Sequence, residues 1–179
     1  MSALTGPALV AAALLALAGA QKLLDPTMTV GALRSMGLPA SPLLVRIGSA
    51  LELALGVAAI AVGGAALWWG VAVSYVLFAA FVVVALRRGT MIGTCGCFGR
   101  EETPPHPSHV ALNLVLAGFA AAVAVSAPGS PLEAVVDHPA EGLAIVALSA
   151  VSLFLLQAAY VDLPRALVAG RPAAPRATR

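Results

Sequence analysis

The chain holds two cysteines, Cys95 and Cys97, one residue apart in the stretch GTCGCFGR at 93–100. A disulfide needs its Cα atoms about 4.4–6.8 Å apart, a span that residues i and i+2 reach with some bending. Gly96 between them tolerates backbone angles that a larger residue resists, and Gly93 and Gly99 let the flanks turn as well. The ring so closed is small and strained, and strained bridges are the exchangeable ones. Arg87, Arg88 and Arg100 lie close in sequence. Cations near the sulfurs favour thiolate, the form that attacks disulfides. The plainer alternative is that two small apolar residues fall in a loop by chance. A solvent-facing free thiol is a liability, however, so the spacing favours a redox pair.

A metal site is the sharper rival. The run HPSH brings His106 and His109, so Cys95, Cys97, His106 and His109 make a four-ligand set acceptable to zinc. Cu(I) also accepts thiolates. The prolines at 104, 105 and 107 could fold the histidines back toward the sulfurs, while the plainer role for the histidines is helix capping. Two cysteines set no disulfide framework of the kind that staples small secreted domains.

Glu52 is the clearest ionisable group inside an apolar stretch, and such groups mark function by default. Gly48, Glu52 and Gly56 recur every four residues on one helix face, where glycines allow another helix to come close. Lys22 or Arg46 could pair with the carboxylate, or hydrogen bonds could hold it neutral. Its functional reading is proton or quinone handling; its structural reading is a polar contact that locks two helices. Asn113 stands one turn after His109 and could orient the cysteine loop. Trp68, Trp69 and Tyr160 read as anchors at the membrane interface.

These residues need elements to hold them. Of the 179 residues, 60% are hydrophobic and 10% charged, and mean hydropathy is +0.97. Soluble domains carry about 25% charged residues, so lipid is the required second solvent. A net charge of +2 is too small and too dispersed for nucleic acid. Five stretches suit a span of about 20 apolar residues: 6–24, 42–63, 65–86, 107–127 and 140–161. Ser41-Pro42 caps the second, Gly63-Gly64 turns a tight hairpin into the third, and Pro164 closes the fifth. The backbone must satisfy itself in lipid, so the expected fold is all-α, a polytopic membrane helix bundle. The first stretch ends in Ala18-Gly19-Ala20, like a signal-peptide cleavage site, but no basic region precedes it. It is expected to stay as a span.

With five spans, all ten basic residues fall on one side, with the loops after the first, third and fifth. Basic loops mark the cytoplasmic face. The expected protein therefore lies in a bacterial inner membrane with its N-terminus outside. Its C-terminus and Cys-Gly-Cys loop are cytoplasmic. The Pro/Arg/Ala end lacks apolar content, and residues 164–179 are expected to form a disordered cytoplasmic tail.

AGAQKLLDP at 18–26, RIGSALELALG at 46–56, CGCFG at 95–99 and HVALN at 109–113 together resemble the MauE/DoxX-type redox-associated membrane proteins. The similarity is greatest to the MauE branch, named for methylamine utilisation, and covers about residues 1–127. It implies a four-helix membrane core at 1–127; the loop and fifth span expected at 128–163 come from hydropathy alone. It also implies a role in forming or maintaining disulfides of a partner, methylamine dehydrogenase in the founding case. Carried over by position, Cys95 and Cys97 are the redox pair, and Glu52 and Asn113 are characteristic membrane positions. Arg100 and His109 are supporting candidates. Two departures stand out: the fifth span, and cysteines on the cytoplasmic side although disulfides are assembled outside. Both fit a protein that passes reducing equivalents across the membrane. A thioredoxin-like or disulfide-containing protein would dock at the cysteines, and a quinone or another protein would complete the relay.

Overall fold

The computed structural model describes residues 4–88, 105–126 and 129–169. Its helices are α1 (Thr5–Leu24), α2 (Thr27–Ser35), α3 (Pro42–Ala61), α4 (Ala65–Arg88), α5 (Pro107–Ser126), α6 (Pro131–Asp137) and α7 (Pro139–Ala169). No strand occurs among the described residues. α1, α3, α4, α5 and the Pro139–Tyr160 part of α7 are each long and apolar enough to cross a bilayer. The protein is a polytopic all-α membrane bundle, with lipid as one of its solvents. The five spans match the expected stretches, and the short helices α2 and α6 are additions.

Local chemistry explains the ends of these helices. Ser41 caps α3, its hydroxyl accepting the Leu44 N–H at 3.2 Å, with Pro42 in the first turn. The α3–α4 turn uses Gly63 and Gly64 at φ +71° and +90°, a backbone region that glycine enters without penalty. A Cβ on Gly63 would also lie 2.7 Å from the Gly129 carbonyl oxygen. Beside it, the Ser130 hydroxyl accepts the Leu132 and Glu133 N–H groups at the start of α6. The same hydroxyl donates to the last carbonyls of α3, Ile60 and Ala61. One side chain thus serves two helix ends that would otherwise leave orphan groups.

α1 is the central helix, touching α3, α4, α5, α6 and α7. Its tightest pairing is with α3, and α4 pairs as closely with α5. The turn makes α3 and α4 neighbours in sequence, yet their contact is slighter. The α1–α3 crossing depends on one glycine from each helix. A Cβ on Gly19 would sit 2.6 Å from Ser49 O and Leu53 N, and one on Gly56 would sit 2.5 Å from Ala12 O. Gly48, expected to share this role, does not: a Cβ there meets nothing within 4 Å. The close approach follows the diagonal from Gly19 to Gly56, so Gly48 falls off the contact line.

The core gathers Leu14 and Leu15 of α1, Trp68, Val71 and Tyr75 of α4, and Leu116 and Val123 of α5. Trp68 corrects the expectation of two interfacial tryptophans. It is fully buried, whereas Trp69 is 48% exposed. Adjacent helical residues point about 100° apart, so only one of the pair can follow the inward row of 68, 71, 72, 75 and 79. α7 lies on the flank against α1, α5 and α6, with Leu143, Leu148 and Phe154 facing outward. Pro164 does not close it, because α7 runs on to Ala169. The part of the expected tail at 164–169 is therefore helical, and 170–179 lie outside the described residues.

Candidate functional site

Cys95, Cys97 and Arg100 lie outside the described residues, but both helices that carry their segment are defined. At the α4 end, the Arg88 guanidinium donates to the Met36 carbonyl just past α2. Ala32, Met36 and Ala85 are buried there, with Phe81 packed against them. Arg34 donates to the Ala40 carbonyl at 3.0 Å and braces the α2–α3 connection. At the other edge, His106 caps α5: its Nδ1 accepts the Ser108 N–H at 3.2 Å and faces the Ser108 hydroxyl at 2.9 Å.

His109 turns the opposite way, into the bundle. It is 2% exposed, and its Nε2 lies 2.8 Å from the Tyr160 carbonyl oxygen of α7. A carbonyl only accepts, so Nε2 carries the proton. This contact also serves the course of α7 through Pro164. Proline at 164 has no N–H to give the carbonyl four residues earlier, which is that of Tyr160. His109 supplies the missing donor, the kind of re-satisfaction by a neighbouring helix that lets proline persist within a span. The two rings stack at 5.6 Å with planes 10° apart. The Tyr160 hydroxyl then donates to Asn113 Oδ1 at 3.0 Å, and Asn113 Nδ2 donates to the His109 carbonyl at 2.8 Å. Asn113 therefore ties α7 to its own helix. Tyr160 is buried and hydrogen-bonded, not an interfacial anchor. His109 Nδ1 is buried with no hydrogen-bond partner among the described residues.

The four-ligand metal set lies half outside the described residues, with Cys95 and Cys97. Of its histidines, His106 caps α5 and His109 hydrogen-bonds the Tyr160 carbonyl of α7. Among the described residues no three His, Asp or Glu side chains converge as ligands.

The charged centre forms where α1 meets α3. Lys22, with its side chain 6% exposed, pairs with Glu52, whose side chain is 20% exposed. Of the two partners proposed by sequence, Lys22 is the one used. Its ammonium also sits 4.6 Å from the centre of the Phe78 ring of α4, a cation–π contact. Burying two charges costs several kcal/mol each, so the pair holds only because each meets the other at close range. On the outer side of this pair a cleft of about 330 Å³ opens between α2, α3 and α4. Leu33, Val45, Gly48, Leu77, Phe78 and Phe81 line it, with Lys22 and Glu52 in the wall. Sequence reasoning missed Phe78 and read Tyr160 as an interfacial anchor. Nothing in an apolar run marks which aromatic faces a charge.

No curated protein and no solved structure matches the chain at a significant level. The family model described as methylamine utilisation protein MauE matches residues 1–126, from α1 through α5. This chain is therefore a multi-pass membrane protein of the MauE family.

Proposed function

We propose that the protein is an integral membrane thiol–disulfide exchange protein whose reactive pair is Cys95 and Cys97. The observation that carries this reading is their spacing: the only two sulfhydryls of the chain stand one residue apart, among glycines, in the segment joining α4 and α5. Membership of the MauE family is consistent with it, as is the arginine-rich edge formed by Arg87 and Arg88. Arg100 is the third cation of this group.

The exchange runs through a mixed disulfide. One thiolate of a docked thioredoxin-like protein attacks the Cys95–Cys97 bond, and one sulfur of the pair leaves as thiolate. The partner's second thiolate then breaks the mixed bond, so that two electrons pass to Cys95 and Cys97 and the partner becomes oxidised. In the reverse direction the pair, once oxidised, forms a disulfide in a reduced partner. By the basic-loop rule the pair faces the cytoplasm of a bacterial inner membrane, with the N-terminus outside. Whether methylamine dehydrogenase or another enzyme is served depends on the partner that docks.

Trapping tests the reading. A Cys97→Ser variant keeps one attacking sulfur and cannot resolve the mixed disulfide. Incubated with a thioredoxin whose resolving cysteine is removed and whose remaining cysteine carries a thionitrobenzoate mixed disulfide, its Cys95 thiolate should displace thionitrobenzoate and give a covalent one-to-one adduct that dithiothreitol reverses. The metal alternative, zinc or Cu(I) on Cys95, Cys97, His106 and His109, instead requires one stoichiometric metal in the purified protein, lost in Cys97→Ser. A purely structural or transport role centred on Glu52 requires function to survive loss of both cysteines.

A further inference from the structure

We infer that the cleft between α2, α3 and α4 binds the head of a lipid-soluble p-quinone, which accepts the electrons of the Cys95–Cys97 dithiol. The inference rests on the exchange reading above for the electrons, but the cleft itself is independent of it.

Its volume of about 330 Å³ falls at the lower end of the range of small-molecule sites, which are mainly apolar with a few convergent polar groups. Both characters are present. Leu44 and Leu77, 59% and 61% exposed, stand at the lipid-facing mouth, where a prenyl or alkyl tail would run out into hydrocarbon. Phe78 and Phe81 supply flat apolar walls for a ring. At the inner wall stand the Lys22 ammonium and the Glu52 carboxylate. An ammonium has three N–H donors. Glu52 takes one and the Phe78 face a second, which leaves one for a quinone carbonyl oxygen. Glu52 beside it can relay protons.

Competing occupants fit less well. A bare acyl chain offers nothing to the remaining Lys22 donor. A phosphate head would meet the Glu52 carboxylate. A neutral molecule with an acceptor oxygen at one end and a long apolar tail at the other satisfies the whole lining.

Placement and stoichiometry agree with this occupant. The cysteine-bearing segment leaves α4 after Arg88, which is tied to Met36 at the end of α2, and α2 roofs the cleft with Thr29 and Leu33. With two sulfurs in the chain, a second two-electron carrier is needed. In the step, the S–H bonds of Cys95 and Cys97 break and an S–S bond forms. The two electrons and two protons released convert the two quinone carbonyls to the two hydroxyls of the quinol.

The test uses full-length protein with Cys95→Ser and Cys97→Ser, in lipid nanodiscs, so that binding is read without thiol chemistry. An azido-substituted decyl-benzoquinone serves as photolabel. It should mark peptides within 44–52 and 77–81, and plain decyl-benzoquinone should compete while decylbenzene should not. Gly48→Leu grows a side chain into the cleft where a Cβ meets nothing, so the bundle should keep its unfolding midpoint. Labelling should fall about tenfold, equivalent to about 1.4 kcal/mol of binding. Gly118→Leu, equally unhindered but on α5, should label as the parent does. Equal labelling in Gly48→Leu, or label spread over the outer face of α7, would overturn the inference. If the cleft labels as expected while reduced wild-type protein fails to exchange with thioredoxin, the quinone site stands and the exchange reading falls. If exchange proceeds but the cleft does not label, the reverse holds.

Discussion

At the scale of single residues, the Lys22–Glu52 pair shows how a charge is kept inside an apolar bundle. Its worth lies less in net attraction than in the penalty of breaking it, because an abandoned buried charge has no water to turn to. Lys22→Met should therefore lower stability by about 3–5 kcal/mol, read from unfolding in detergent. The Lys22→Met, Glu52→Leu double variant should recover most of that loss. If the double variant is as unstable as the single one, the pair is not what holds α1 to α3. The charge itself was legible in the sequence: a glutamate in an apolar helix stands out, and Lys22 was one of two cations within reach. The cation–π contact with Phe78 was not, because the facing direction of one phenylalanine among many is set by helix rotation.

At the scale of elements, two devices hold the helices in place. The first is the glycine diagonal between α1 and α3. Gly56→Leu should force the helices apart, at an overpacking cost of about 1–3 kcal/mol, while Gly48→Leu should not destabilise the bundle. The periodic Gly48–Glu52–Gly56 row was visible in the sequence, but the partner glycine, Gly19, lies on another helix and identifies the contact line only once the helices are crossed. The second is the His109 contact with Tyr160 in α7. His109→Leu removes this hydrogen bond, at a cost of about 0.5–1.5 kcal/mol. Pro164→Ala in that background restores the intrahelical N–H and should return much of the stability. In the parent, Pro164→Ala should gain less than in His109→Leu, since the carbonyl already has a donor. A double-mutant cycle on unfolding free energies reads this coupling, and additivity would refute it. Sequence alone marked Pro164 as a stop signal, because its missing donor is local and the replacement is a side chain 51 residues before the carbonyl it serves.

At the scale of the whole molecule, the span count and the class of fold followed directly from composition, since lipid leaves the backbone few options. The packing order did not follow. The pairing of α1 with α3 and of α4 with α5 is non-local, and α7 takes its flanking place through contacts with α1, α6 and α5. Five spans put the two chain ends on opposite sides. A reporter fused after residue 179 should read as cytoplasmic and one inserted at Gly64 as external, and the opposite pattern would reverse the topology proposed here. Sidedness and chemistry can be read together in one assay. Intact cells and inverted membrane vesicles are treated with a membrane-impermeant maleimide before and after reduction, and label is counted on Cys95 and Cys97. The account predicts no label in intact cells and, in inverted vesicles, two added labels per chain that depend on prior reduction. Two thiols that stay free in the vesicles under oxidising conditions, with no change on reduction, would contradict a redox pair.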